Sequence, residues 1–228
     1  MKYLTFCFCM LIKFGVFAQA NSVIPISFNL IWDDSPLIIS ESSNKSKPLQ
    51  IDIEVFKLYI SHIELFDKNE LIYSEENSYH LLDAEEIRSL EIPIKVPENI
   101  SFSQIKFAIG VDSLTNVSGA FGGDLDPMYG MYWTWQSGYI NFKLEGTAEN
   151  CPNRHNRFQF HIGGYASPFN ALQTVKLEVV EKDNINIVIS IDQIFKQIDV
   201  EKTYQIMSPN EKSQAFSQLI PSLFSISK

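Results

Sequence analysis

The sequence predicts an all-β protein, a single antiparallel β-sandwich of barrel-like form with a short C-terminal helix. Three observations carry that expectation. Apolar residues recur at every second position in segment after segment. Short runs of turn-forming residues separate these segments, which suits strands joined in a sandwich or barrel. A helix-start pattern is concentrated at the C-terminal end.

Residues 1–20, MKYLTFCFCMLIKFGVFAQA, read as a secretory signal peptide. Lys2 precedes an apolar run, and Ala18-Gln19-Ala20 supplies small residues for cleavage after Ala20. A membrane anchor would need ~20 apolar residues, and Lys13 interrupts this run. No cysteine follows the cleavage site, so a lipid anchor is not favoured. The mature domain is therefore expected at 21–228, periplasmic or secreted.

The strands follow in order. Ile26, Phe28 and Leu30 alternate with Ser27 and Asn29. Residues 50–65 form one long strand or a bent pair, and 102–110 form another, closed by Gly110. Ile140, Phe142 and Leu144 alternate with polar neighbours, as do Phe158, Phe160 and Ile162. Val175, Leu177 and Val179 lead through Lys182-Asp183-Asn184 to Ile185, Ile187 and Ile189, which reads as a hairpin. Ser40–Lys47, Val117–Gly130 and Ala148–Asn156 have loop composition. Ser208-Pro209-Asn210-Glu211 predicts a helix with Ser208 as N-cap and Pro209 at its first position, ending near Leu219 before Pro221. Phe216 and Leu219 would dock it on the sandwich.

Loss of Lys2 and Lys13 with the leader takes the formal net charge from −9 to −11. Such a chain is a poor partner for nucleic acid or an anionic membrane surface. Of three cysteines, Cys151 alone remains, so no internal disulfide can form. It is either a buried thiol or a metal or intermolecular partner.

Residues 121–146, FGGDLDPMYGMYWTWQSGYINFKLEG, hold the densest group of oxidisable side chains. Trp133 and Trp135 lie two positions apart and would share one face of an extended strand. Met128, Tyr129, Met131, Tyr132 and Tyr139 surround them. His161 sits on the polar side of the strand 158–162, before Gly163-Gly164. His80 lies in YHLLD, His62 in YISHIEL and His155 in a polar loop. Imidazoles from separate strands can chelate a transition metal without any local spacing. HExxH, HxxxH and CxxC spacings are absent from residues 21–228, as are GxSxG and a phosphate-cradling glycine loop. Asp124 and Asp126 could bind a cation, but an Asp-Pro turn explains them equally well.

These residues also carry a resemblance. FKLYISHIELF (56–66), YHLLD (79–83), the stretch 107–146, FQFHIGGY (158–165) and MSPN (207–210) resemble the MbnP-like copper-binding proteins. Those are exported partners of methanobactin systems, found more widely in Bacteroidota-type genomes. The resemblance implies a single β-rich domain that binds a copper ion, and with no substrate pocket identified in the sequence, a protein with no turnover of its own is expected. It implies His80 and His161 as metal ligands. It further implies that Trp133 or Trp135 is oxidised to kynurenine, whose amine joins the coordination. The implied oxidant is a separate di-haem protein of the cytochrome c peroxidase type. An unmodified indole has no basic lone pair to give a metal, so the two tryptophans would otherwise pack or shield. A different class remains open: a β-sandwich module binding a glycan or protein through Trp133, Trp135 and Tyr139 on an exposed face.

Overall fold

The computed structural model describes residues 21–37, 39, 51–136 and 138–227. The leader at 1–20 and the loop Ser40–Lys47 lie outside the described residues. Strands β1 (Asn21–Trp32), β2 (Ser35–Pro36), β3 (Ile51–Asp67), β4 (Glu70–Ser74), β5 (Tyr79–Asp83), β6 (Glu91–Pro97) and β7 (Gln104–Ile109) lead into helix α1 (Ser113–Val117). A loop with two 3-10 turns follows. Then come β8 (Tyr132–Trp133), β9 (Gly138–Ala148), β10 (Arg157–Gly163), β11 (Gln173–Glu178) and β12 (Ile185–Ser190). Helix α2 (Asp192–Gln197), β13 (Gln205–Ile206), α3 (Glu211–Leu219) and β14 (Phe224–Ile226) complete the described fold.

The period-two segments form two sheets that curl into a half-barrel, as the all-β expectation requires. In the smaller sheet β1 lies between β6 and β12, with β14 beyond β12. The larger sheet is built on β3 and β9. Alternation sends one set of side chains inward from each sheet. Ile26, Phe28 and Leu30 of β1 meet Phe56, Leu58, Phe142, Leu144, Phe158 and Phe160 in one buried cluster. Burying each such side chain contributes roughly 1.5–3 kcal/mol. Pairing is mostly antiparallel, with parallel pairs at β1–β12 and β10–β13.

The segment 50–65 is one strand, bent at a bulge. Its register against β7 shifts between Ser61 and Glu64. His62 sits there with φ 52°, in the left-handed region. Leu58 and Ile60 face the core before the bulge, and Ile63 and Leu65 face it afterwards. The extra residue thus changes the parity of the strand while keeping its apolar face inward.

Two expectations are corrected. The segments 175–179 and 185–189 do not form a hairpin. β11 pairs with β7 in the large sheet, whereas β12 runs parallel to β1 in the small one. The turn between them carries the chain from one layer to the other. The C-terminal helix begins later than expected, at Glu211, and its N-cap is Asn210 rather than Ser208. Asn210 Oδ1 accepts from Ser213 N at 2.9 Å, which satisfies an otherwise unpaired helix amide. Phe216 docks as expected, against Phe142 and Phe160 with ring centroids 5.8 and 5.1 Å away.

One junction positions the site. Lys57 and Ile60 pair with β5 on one edge of β3, with β9 opposite Lys57 and β7 opposite Ile60. β7 and β9 therefore share the other edge end to end. Gly110 turns the chain at this seam with φ 115°, and a Cβ there would fall on the Asn141 amide. Asn141 Oδ1 accepts from Val111 N at 3.1 Å, and Asn116 Oδ1 accepts from Tyr139 N at 2.8 Å. Gly110→Ala should lower unfolding stability by about 2–4 kcal/mol through strain and overpacking. Urea denaturation checks this, and an unchanged midpoint would contradict it.

Candidate metal centre

The loop 118–131 is tied to the outer face of the large sheet by buried tyrosines. Tyr59 Oη donates to Asp124 O at 3.0 Å. Tyr139 Oη donates to Leu125 O at 3.1 Å and accepts from Phe121 N at 2.9 Å. Tyr59, Leu81, Val111, Leu125, Met131, Trp133, Tyr139 and Ile140 form a second apolar cluster beneath the loop. Burial of Tyr59, reinforced by the nearby Tyr139 and acidic groups, pushes its phenol strongly upward, so both tyrosines act as neutral donors. Asp124 tethers the loop to β5, and Asp126 caps a 3-10 turn. Asp124 Oδ2 accepts from Leu81 N at 2.9 Å, and Asp126 Oδ1 accepts from Met128 N at 2.9 Å.

Trp133 is 6% exposed and Trp135 67% exposed. The expectation that both lie on one face of a strand is corrected. β8 ends at Trp133, and the chain turns before Trp135. The rings remain neighbours, with centroids 6.1 Å apart. The Trp133 ring lies against Gly163, where a Cβ would stand 2.7 Å from Cζ3 and 2.6 Å from Tyr139 O. Only glycine lets the indole approach β10 so closely. Trp133 Nε1 is buried without a hydrogen-bond partner. A pocket of about 220 Å³ opens beside it, flanked by Gln136, Tyr165, Phe169 and Pro209.

His161 projects from the same face of β10, two residues before Gly163. By strand geometry that spacing is about 7 Å along the chain. His161 Nε2 lies 2.8 Å from Glu145 Oε1. Glu145 also accepts from Gln159 Nε2 at 3.2 Å, with Lys143 Nζ at 3.4 Å and Arg157 at 3.7 Å. The His161 hydrogen bond first, then Gln159 and Lys143, pull the Glu145 carboxyl down to about 2 against the cost of burial. An ionised carboxylate only accepts, so it holds the proton on Nε2 and leaves Nδ1 as the lone-pair nitrogen. A carboxylate behind an imidazole is the usual support for a metal-binding histidine.

His80 has the same support, with Nε2 2.8 Å from Glu75 Oε2. The hydrogen bond from His80 and one from Ser78 lower the Glu75 carboxyl despite its burial. Its place is different. His80 pairs with Ile60, which shares a face with Leu58, and Leu58 pairs with Phe142 and Phe142 with Ile162. Alternation therefore puts His80 and His161 on opposite faces of the large sheet. The structure brings His161, Trp133 and Trp135 to one region and leaves His80 at the edge strand β5. Among the described residues, no group of three or more His, Cys, Asp or Glu is arranged to hold a metal. Cys151 is buried, and its thiol donates to Arg157 O at 3.0 Å.

Glu145 and Glu75 were missed by sequence reasoning. Lys143 and Glu145 alternate with the core residues of β9, and Gln159 and His161 do so on β10. That both pairs are polar was visible, but the register that joins them was not.

The depressed Glu145 carboxyl stabilises the fold at pH values above its ordinary 4.5, and this contribution is lost as pH falls toward about 2. The full shift corresponds to about 3 kcal/mol, and solvent screening of this partly exposed cluster reduces it to about 1–2 kcal/mol. Glu145→Gln should remove that part of the acid destabilisation, read from urea midpoints between pH 5 and pH 2. Parallel curves for the variant and wild type would contradict the ionised pair.

No helix among the described residues is long and apolar enough to cross a membrane. No curated protein sequence matches the chain. Among solved structures it is similar to MbnP from Methylosinus trichosporium, with 16% identity, 80% of each chain covered and a TM-score of 0.60. At that identity the likeness shows a shared fold. The MbnP family profile matches residues 21–208. The chain belongs to the MbnP family, and so to the copper-related proteins associated with methanobactin.

Proposed function

We propose that this chain is an exported copper-handling protein that captures copper as cargo and has no turnover of its own. The observation that carries the reading is a carboxylate-backed His161 two residues along β10 from Gly163, the glycine against which the ring of a buried Trp133 with an unpartnered Nε1 lies. His161 Nδ1 is the principal ligand. His80, with its own carboxylate, is the second candidate from the opposite face of the sheet. Imidazole donors suit copper, with zinc the usual competitor.

Trp133, rather than Trp135, is the residue converted to kynurenine. Ring opening adds two oxygen atoms across the indole C2–C3 bond, and hydrolysis releases C2 as formate. The former Nε1 becomes an aryl amine with a lone pair. This change would turn an unpaired buried N–H, which costs about 1–3 kcal/mol, into a donor beside His161. Two equivalents of hydrogen peroxide supply the two oxygen atoms and leave as two waters, with a di-haem cytochrome c peroxidase-like partner as the catalyst. Trp135, largely exposed, shields the site from solvent. Export to the periplasm or beyond rests on the leader pattern at 1–20.

The glycan- or protein-binding alternative needs Trp133, Trp135 and Tyr139 on one open face. Trp133 and Tyr139 are 6% and 1% exposed, so nothing in the geometry favours it.

His161→Ala should weaken copper affinity at least tenfold, since even supporting residues of metal ligands cost 10–100-fold. His80→Ala reports on the second candidate. Competition titration with a Cu(I) chelator measures both. Unchanged affinity in both variants would overturn the assignment.

A further inference from the structure

A third histidine–carboxylate pair differs from the other two. His80 and His161 each stand 2.8 Å from their carboxylates, which is hydrogen-bond distance. His62 Nε2 stands 3.4 Å from Asp112 Oδ2. A tetrahedral ion with bonds of about 2.0–2.1 Å places its donors about 3.3–3.4 Å apart, so this pair has the separation of one edge of such a shell.

Both donors are held and both are reachable. The side chains are 50% and 21% exposed. His62 occupies the left-handed region at the β3 bulge, where glycine or asparagine would serve at lower cost. Its backbone is pinned, with His62 N donating to Ser78 O at 3.2 Å and Ile63 N donating to Ser78 Oγ at 3.0 Å. Asp112 caps helix α1, accepting from Thr115 N at 3.0 Å through Oδ1. Tyr79 Oη and Thr115 Oγ1 donate to its Oδ2. Burial raises the Asp112 carboxyl, but these hydrogen bonds outweigh it and leave the group ionised, at about 2. Hydrogen bonds of this kind orient a ligating carboxylate. The net charge of −9 adds a general attraction for cations.

We propose that His62 and Asp112 form a surface site for a divalent transition-metal ion such as Zn²⁺, with His62 Nε2 and Asp112 Oδ2 as its protein ligands and water completing the shell. Imidazole with carboxylate is a donor set that Zn²⁺ accepts. The site is independent of the copper reading. It lies at the bulge of β3 and the cap of α1 and uses none of Trp133, His80 or His161.

Titration of the purified protein with zinc chloride alone, followed by calorimetry and by the His62 ring proton resonances, tests it. Asp112→Asn would also disturb the helix cap, so the informative variant is His62→Asn, which tolerates positive φ. The expected result is a zinc event, reported by the His62 ring resonances, that weakens at least tenfold in His62→Asn and persists in His161→Ala. An identical zinc isotherm in wild type and His62→Asn would overturn the proposal, as would no zinc-dependent shift of the His62 ring.

Discussion

Strand alternation across β3, β9 and β10 is the constraint on which the rest of the site depends. Once Leu58 pairs with Phe142 and Phe142 with Ile162, the neighbours between the register shifts of β3 and of β9–β10 are committed to a face. The apolar set goes inward to the smaller sheet. Lys143, Glu145, Gln159 and His161 are left together on the outside. The His161 hydrogen bond, with Gln159 and Lys143, holds Glu145 charged, and Glu145 in turn holds His161. The same rule sends His80 to the other face, so the two supported histidines cannot be treated as one cluster by their shared chemistry alone.

The loop above that face is held by hydrogen bonds rather than by regular structure. Asn116 and Asn141 bridge the seam between β7 and β9, and Tyr59 and Tyr139 reach up to loop carbonyls. The Nδ2 of Asn141 at that seam and the Nε1 of Trp133 are both buried without a hydrogen-bond partner. Two unpaired buried N–H groups close to the loop retain a local cost at the place where function is proposed.

Much of the fold was legible because period-two hydrophobicity reports burial directly. β1, β9 and β10 follow from it, whereas the docking of Phe216 follows from the C-terminal helix pattern. The failures share a cause. Lys182-Asp183-Asn184 signals a reversal but not the sheet the chain joins next, so β11 and β12 looked like a hairpin. Ser208 and Asn210 are both good caps, and the extended backbone of Asn210 decided between them. Trp133 and Trp135 looked like a pair on one face because alternation was assumed to continue past residue 133. Of the site, the histidines and tryptophans were visible as residue types. Glu145 was not, because only the β9–β10 register sets it beside His161. Gly163 was visible as a close-approach position, but not as the floor beneath Trp133.

Intact mass and metal content of the protein from its native host, with peptide mapping of the modified residue, test the central claim most directly. The expected result is copper together with a mass change of one carbon lost and one oxygen gained, mapped to Trp133. An unmodified Trp133, or the same change mapped to Trp135 alone, would contradict the assignment of the buried indole to the site.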